Sequence, residues 1–201
     1  MADSESQILL KILSVGDTQV GKSCLIKRYC EERFVNKYIT TIGVDYGVKK
    51  MAVMGKKTAV NFFDLSGDDD YEEIRNPFFK DAQGVILVFD LENRESFTNL
   101  IKWERVMKEN GLDFARSVIF VVGNKSDVRS KDVEQSEITA FVRKRGWEYF
   151  QTSANTGDNV KEVKNQQIHK NIYLFIKNCQ LFEKLFQKCV DMLETQKQKL
   201  K

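Results

Sequence analysis

The chain has 201 residues, 42% of them hydrophobic and 30% charged, and a net charge of +3, which suits one soluble α/β-sized domain able to bury a full core. So small a charge, spread along the chain rather than gathered in a stripe, argues against nucleic-acid binding. No aliphatic-aromatic run is longer than that of Ile172 to Ile176, which is far too short to span a bilayer.

In chain order, apolar runs predict strands at about Ile8 to Val15, Gly43 to Met54, Lys57 to Asp64, Gly84 to Asp90, Ser117 to Gly123 and Glu148 to Thr152. Helical patterns fall at Lys22 to Arg33, Arg94 to Asn110, Val133 to Arg145 and from about Asp158 onward. This alternation predicts an α/β fold with a mostly parallel, six-stranded sheet covered by helices on both faces. The short turn around Gly55 and Lys56 predicts one antiparallel hairpin. No export signal is expected, so Cys24, Cys30, Cys179 and Cys189 are read as reduced thiols in a cytoplasmic or nuclear protein. The single histidine, His169, has no partner motif, which excludes nucleophilic catalysis by a Ser-His or Cys-His pair.

Between the first strand and the first helix lies Gly16-Asp-Thr-Gln-Val-Gly21-Lys22-Ser23. The pattern G-x-x-x-x-G-K-[ST] wraps backbone N–H groups around nucleotide phosphates at a helix N-terminus, where the helix dipole favours anions. Lys22 is expected to reach the β- and γ-phosphates, and the Ser23 hydroxyl to coordinate Mg²⁺. The alternative, a glycine-containing turn with no ligand, stays open for this motif taken alone.

Asp64-Leu-Ser-Gly67 follows Val60-Asn-Phe-Phe63, so its carboxylate emerges at the carboxyl end of a strand, where parallel sheets bind ligands. There Asp64 can serve the Mg²⁺ shell and the Gly67 N–H can face a γ-phosphate. Alone, D-x-x-G also fits an ordinary strand-ending turn. Asn124-Lys125-Ser126-Asp127 follows the apolar strand Val118 to Val122. Its aspartate can accept the N1–H and 2-amino donors of guanine, and adenine offers neither there. A site of this kind rejects the wrong base by about 10⁴ or more, because a desolvated carboxylate would be left unpaired. Asn124 is expected to tie neighbouring loops together, the Lys125 stem to cover the base, and the Ala154 N–H in Thr152-Ser153-Ala154 to face guanine O6.

With these motifs in this order, the first 160 residues resemble the Ras-like small GTPases, and within them the Rab branch. Thr41-Ile-Gly-Val-Asp-Tyr46, the stretch from Pro77 to Gly84 leading into Val85 to Asp90, and Trp103 carry the Rab likeness. The resemblance implies a single P-loop GTPase domain, a monomer that binds GTP or GDP with Mg²⁺. Its implied nucleotide contacts are Gly16, Asp17, Thr18, Gln19, Val20, Gly21, Lys22, Ser23, Cys24, Phe34, Tyr38, Thr41, Gly67, Asn124, Lys125, Asp127, Ser153, Ala154 and Asn155. Ser23, Thr41 and Asp64 are the implied metal ligands. Switch I would run from about Val35 to Ile42 and switch II from about Leu65 to Phe79, both ordered by the γ-phosphate and relaxed after its loss. Tyr46, Phe63 and Phe79 fit either an effector-reading surface or core packing beneath the switches.

The departures are informative. Asp68 stands where the family usually has the glutamine that orients the attacking water, and a carboxylate adds like charge beside the γ-phosphate. No confident catalytic residue is therefore assigned, and intrinsic GTP hydrolysis is expected to be weak. Thr18 and Gln19 crowd the space that an arginine finger enters. Lys197 to Lys201 carries no cysteine, so no prenyl anchor and only indirect membrane contact are expected. Together with the R-N-x-F-x-K-D-x-Q-G-V-I-L-V-x-D stretch, these features most resemble the RJL group of Rab-like GTPases; no J domain, which some of that group carry, is expected here.

Two functions remain open, a GTP-dependent switch that recruits effectors and a GTP-bound platform that hydrolyses too slowly to cycle. A P-loop kinase of small metabolites is disfavoured by Asn124 to Asp127. The helical phase after Asp158 breaks in Lys164 to Gln180. Removing Val163 to Gln180 joins Glu162 to Leu181 and restores one amphipathic face. The segment reads as a retained in-frame intron, a genuine insertion or an unusually long helix.

Overall fold

The computed structural model describes residues 7–31, 39–160 and 181–199. Its strands are β1 (Ile8–Val15), β2 (Val44–Val53), β3 (Lys56–Leu65), β4 (Gly84–Asp90), β5 (Val118–Asn124) and β6 (Glu148–Gln151). They form one sheet in the order β2-β3-β1-β4-β5-β6, parallel except for the β2–β3 hairpin. That hairpin turns through Met54 and Gly55, both at positive φ (51° and 78°), the backbone sense that matches the right-handed twist of the strands. β4, in the middle, is buried at every position, as an interior parallel strand covered on both faces should be.

The helices are α1 (Lys22–Glu31), α2 (Glu72–Arg75), α3 (Arg94–Thr98), α4 (Leu100–Glu109), α5 (Gln135–Arg145) and α6 (Leu181–Lys199). On one face of the sheet, Tyr29 of α1 packs with Phe182 and Phe186 of α6 against Phe62, with ring centroids 4.6–6.0 Å apart. On the other, Trp103 and Met107 of α4 and Ile138 and Val142 of α5 cover Leu13, Val85, Leu87 and Val121. Each aromatic or aliphatic side chain buried this way contributes about 1.5–3 kcal/mol relative to exposure.

The stretch predicted as one helix from Arg94 to Asn110 is two, α3 and α4, meeting at Asn99. A short α2, flanked by 3₁₀ turns at Asp69–Tyr71 and Asn76–Phe78, lies in the segment read as switch II. Phe34, Tyr38, His169, Cys179 and the run Val163 to Gln180 lie outside the described residues. At their edge, the Leu181 N–H donates to the Asn159 carbonyl at 3.2 Å. Cys24 and Cys30 are half-buried and Cys189 is buried, all as free thiols. No helix among the described residues is long and apolar enough to cross a membrane.

Candidate nucleotide-binding site

β1 ends at Val15 and α1 begins at Lys22, so Gly16 to Gly21 form the loop at the carboxyl edge of the sheet. A Cβ on Gly16 would fall 2.1 Å from the Val88 carbonyl oxygen, and one on Gly21 would fall 2.2 Å from Asn124 Nδ2. Only glycine fits where β4 and the Asn124 side chain press on the loop. Gln19 sits at φ 63°, a left-handed conformation that costs a non-glycine residue roughly 1 kcal/mol or more. Both it and Thr18 are exposed at the mouth of the site, where their side chains narrow the approach. Lys22 is buried, and its Nζ donates to the carbonyls of Gly16 (2.8 Å) and Asp17 (2.7 Å). Burial pulls its ammonium down to about 8, against the opposing pull of Asp64 and Asp17.

Asp17 faces away from this cradle. Its carboxylate accepts the Trp103 indole N–H at 2.7 Å and the Asn99 amide at 2.8 Å. Whatever Asp17 offers a phosphate comes from its backbone.

Three expected metal ligands converge from three different segments. The Ser23 hydroxyl donates to Asp64 Oδ2 at 2.5 Å, Thr41 Oγ1 lies 3.0 Å from Ser23 Oγ, and Thr41 also donates to Asp64 Oδ2 at 3.4 Å. The other carboxylate oxygen of Asp64, Oδ1, is buried without a hydrogen-bond partner, and burial raises the pKa of this group above the usual carboxylate range. Two hydroxyls and a carboxylate are hard oxygen donors, the chemistry Mg²⁺ takes when nucleotide phosphates and water complete its shell. The residues therefore fit the ion. Gly67 packs on the phosphate loop, and the Ser66 N–H donates to the Gly43 carbonyl at 2.8 Å, which ties the segment expected as switch II to the residue after the one expected as switch I.

At the base end, Asn124 Nδ2 donates to the Val20 carbonyl at 2.8 Å, while its Oδ1 accepts from Thr152 Oγ1 and the Ala154 N–H. The expected tie between loops is there, but the Ala154 N–H expected to face guanine is engaged by Asn124 at 3.2 Å. Asp127 is held by Asn155 Nδ2 (3.0 Å) and Ser153 Oγ (2.6 Å), and these donors keep its carboxyl below its usual range. Lys125 Nζ pairs with Asp90 at 2.5 Å. Arg28 of α1 donates to the carbonyls of Ala154 and Asn155, a support that motif reading did not foresee.

The Ras family model matches residues 11–173. The chain belongs to the Ras family. Curated relatives of this Ras-family chain include DnaJ homolog subfamily C member 27 from Danio rerio, 45% identical over 165 residues, and its Homo sapiens counterpart, 45% identical over 158. These alignments cover 80% and 77% of this chain but 60% and 58% of the relatives. The chain thus spans about three-fifths of the length of the curated relatives it matches. The Ras-family assignment carries guanine-nucleotide binding and a Rab-like reading of the motifs with it.

Tyr46 and Phe63 meet with tilted rings whose centroids are 4.9 Å apart, as do Phe63 and Phe78 at 5.2 Å, with Lys11 Nζ over the last two rings. Phe79 is not part of this surface. It is fully buried with Leu13, Val85 and Trp103 in the core on the sheet face covered by α4 and α5, and its neighbour Phe78 takes the partly exposed position.

Proposed function

We propose that this domain is a guanine-nucleotide-dependent switch that binds GTP or GDP with Mg²⁺ and presents its two switch segments to effector and regulator proteins. One observation carries the reading: Thr41, from the segment expected to move, meets Ser23 and Asp64, the other two expected metal ligands. A γ-phosphate there gives one hydroxyl in switch I a reason to stay, and its loss removes that reason. Tyr46, Phe63 and Phe78 supply a partly exposed aromatic strip for an effector. The domain acts as a monomer in cytoplasm or nucleus, in signalling or vesicle traffic.

The test is the nucleotide that co-purifies with the protein, followed by titration with a fluorescent GDP with and without EDTA. Bound guanine nucleotide and faster release on chelation are expected. Equal affinity for ATP and GTP would overturn the reading.

A second reading, a platform that stays GTP-bound, is favoured by Asp68. Its carboxylate caps the following turn, and it offers no amide to orient a water. Single-turnover hydrolysis separates the two.

A further inference from the structure

Arg75 follows a markedly acidic stretch, Asp68 to Glu73, and its side chain is fully buried. Its guanidinium lies 4.8 Å above the Trp103 ring. One nitrogen, NH1, donates to the Asp68 carbonyl and, at 3.4 Å, to the Ser66 carbonyl. The other, NH2, meets the Asp69 carboxylate at 3.2 Å, which Lys102 holds in turn at 2.7 Å. The Ser66 carbonyl belongs to the peptide that carries the Gly67 N–H, and the Asp68 carbonyl to the peptide after the next residue.

A trans peptide points its C=O and N–H in opposite directions. With the Ser66 carbonyl turned toward Arg75, the Gly67 N–H is turned away from it. Gly67 itself touches the phosphate loop, since a Cβ there would lie 2.4 Å from Asp17 C and from Thr18 N. On the far side of Arg75, Trp103 donates to Asp17 of the same loop. The contacts therefore form a closed path: Asp17, Trp103, Arg75, the Ser66–Gly67 peptide, and back through Gly67 to Asp17. Every link is a protein group. Hydrogen bonds from a desolvated guanidinium are among the strong ones.

We propose that Arg75 is a positioning residue that sets the Gly67 peptide for the γ-phosphate, and that Trp103 and Asp17 anchor it to the phosphate loop, so that this part of switch II keeps one arrangement in both nucleotide states. The proposal rests on the guanine-nucleotide reading and sharpens it. Switch I would report the nucleotide through Thr41, while residues 66–75 would be a fixed receiver. GTP then binds without the cost of ordering that peptide, and removing Arg75 penalises GTP more than GDP.

The experiment compares hydrogen exchange of residues 66–75 in GDP-bound and GppNHp-bound protein, together with the affinity ratio for the two nucleotides, in the wild type and in Arg75→Lys. Lysine keeps the charge but cannot bridge two carbonyls while stacking on the indole. Protection in the wild type is expected to agree within about twofold between the two states. In Arg75→Lys it falls at least tenfold with GDP, and the GppNHp-to-GDP affinity ratio drops about tenfold. A general loss of stability would lower both affinities alike. Trp103→Phe, which keeps a ring and loses the indole N–H, shifts the ratio the same way and serves if Arg75→Lys does not fold. Wild-type protection that rises tenfold on replacing GDP with GppNHp, or an unchanged ratio in the variants, overturns the proposal. Failure to bind guanine nucleotide at all is a separate outcome, and protection of 66–75 in the purified protein, lost in Arg75→Lys, still decides the matter.

Discussion

Asp68 turns its carboxylate back on its own chain, where Oδ1 accepts the Asp70 N–H at 3.1 Å. This is an N-cap, and it gives the aspartate a use that glutamine would fill poorly. The wild type is expected to hydrolyse GTP at or below the roughly 10⁻⁴ s⁻¹ scale of unassisted Ras. Asp68→Gln is expected to hydrolyse faster in single-turnover assays while losing about 1 kcal/mol of stability with the cap. A variant no faster than the wild type would show that position 68 does not limit the chemistry.

Ser153 and Asn155 hold the Asp127 carboxyl below its usual range, in the ionised form that the proposed contact with guanine needs. Asp127→Ala is expected to lower GDP and GTP affinity by about a thousandfold or more in fluorescent-nucleotide titrations. Ser153→Ala should weaken binding by a smaller factor, since Asn155 still orients the carboxylate. Tight GTP binding by Asp127→Ala would displace the base pocket from this loop.

The Lys22 ammonium, pulled down to about 8 by burial, gives nucleotide binding a pH dependence whose sign can be worked out. Phosphates favour its charged form, so binding raises its pKa and takes up a proton. Affinity is then fully present below about 8 and declines as pH rises through that value, toward tenfold per unit. Titrations at pH 7 and pH 9 measure it, and an equal dissociation constant at both would mean that Lys22 is charged in the free protein throughout.

The strands and the nucleotide motifs were legible because both are local. Apolar runs such as Val85 to Val88 and glycine spacings such as Gly16 to Gly21 carry their reasons within a few residues. What escaped was decided across the sheet. The break between α3 and α4 falls at Asn99, whose amide reaches Asp17 in the phosphate loop. Whether Phe78 or Phe79 faces outward depends on the phase of a short turn that no periodicity can fix. Arg75 stands in a stretch quoted for its family likeness, yet its burial against Trp103 follows from neighbours distant in sequence.

The Leu181 N–H and the Asn159 carbonyl, 3.2 Å apart, bear on the segment between them. With Val163 to Gln180 removed and Glu162 joined to Leu181, Leu181 becomes the fourth residue after Asn159. Their bond is then the i to i−4 bond of an α-helix. Val160 and Leu181 are both fully buried in the same core cluster as Phe182, Leu185, Phe186, Cys189 and Val190. The face that α6 lays on the sheet is thus continuous with Val160. Closing a segment of this length costs only modest entropy, and the core residues just named all lie outside it. Deleting Val163 to Gln180 is expected to leave nucleotide affinity within about twofold and to raise solubility or melting temperature, because it takes out the β-prone run Ile172 to Ile176. Transcripts with and without the segment are expected if it is a retained intron. A deletion variant that does not fold, or transcripts that all encode the segment, would instead make it an insertion on which this domain depends.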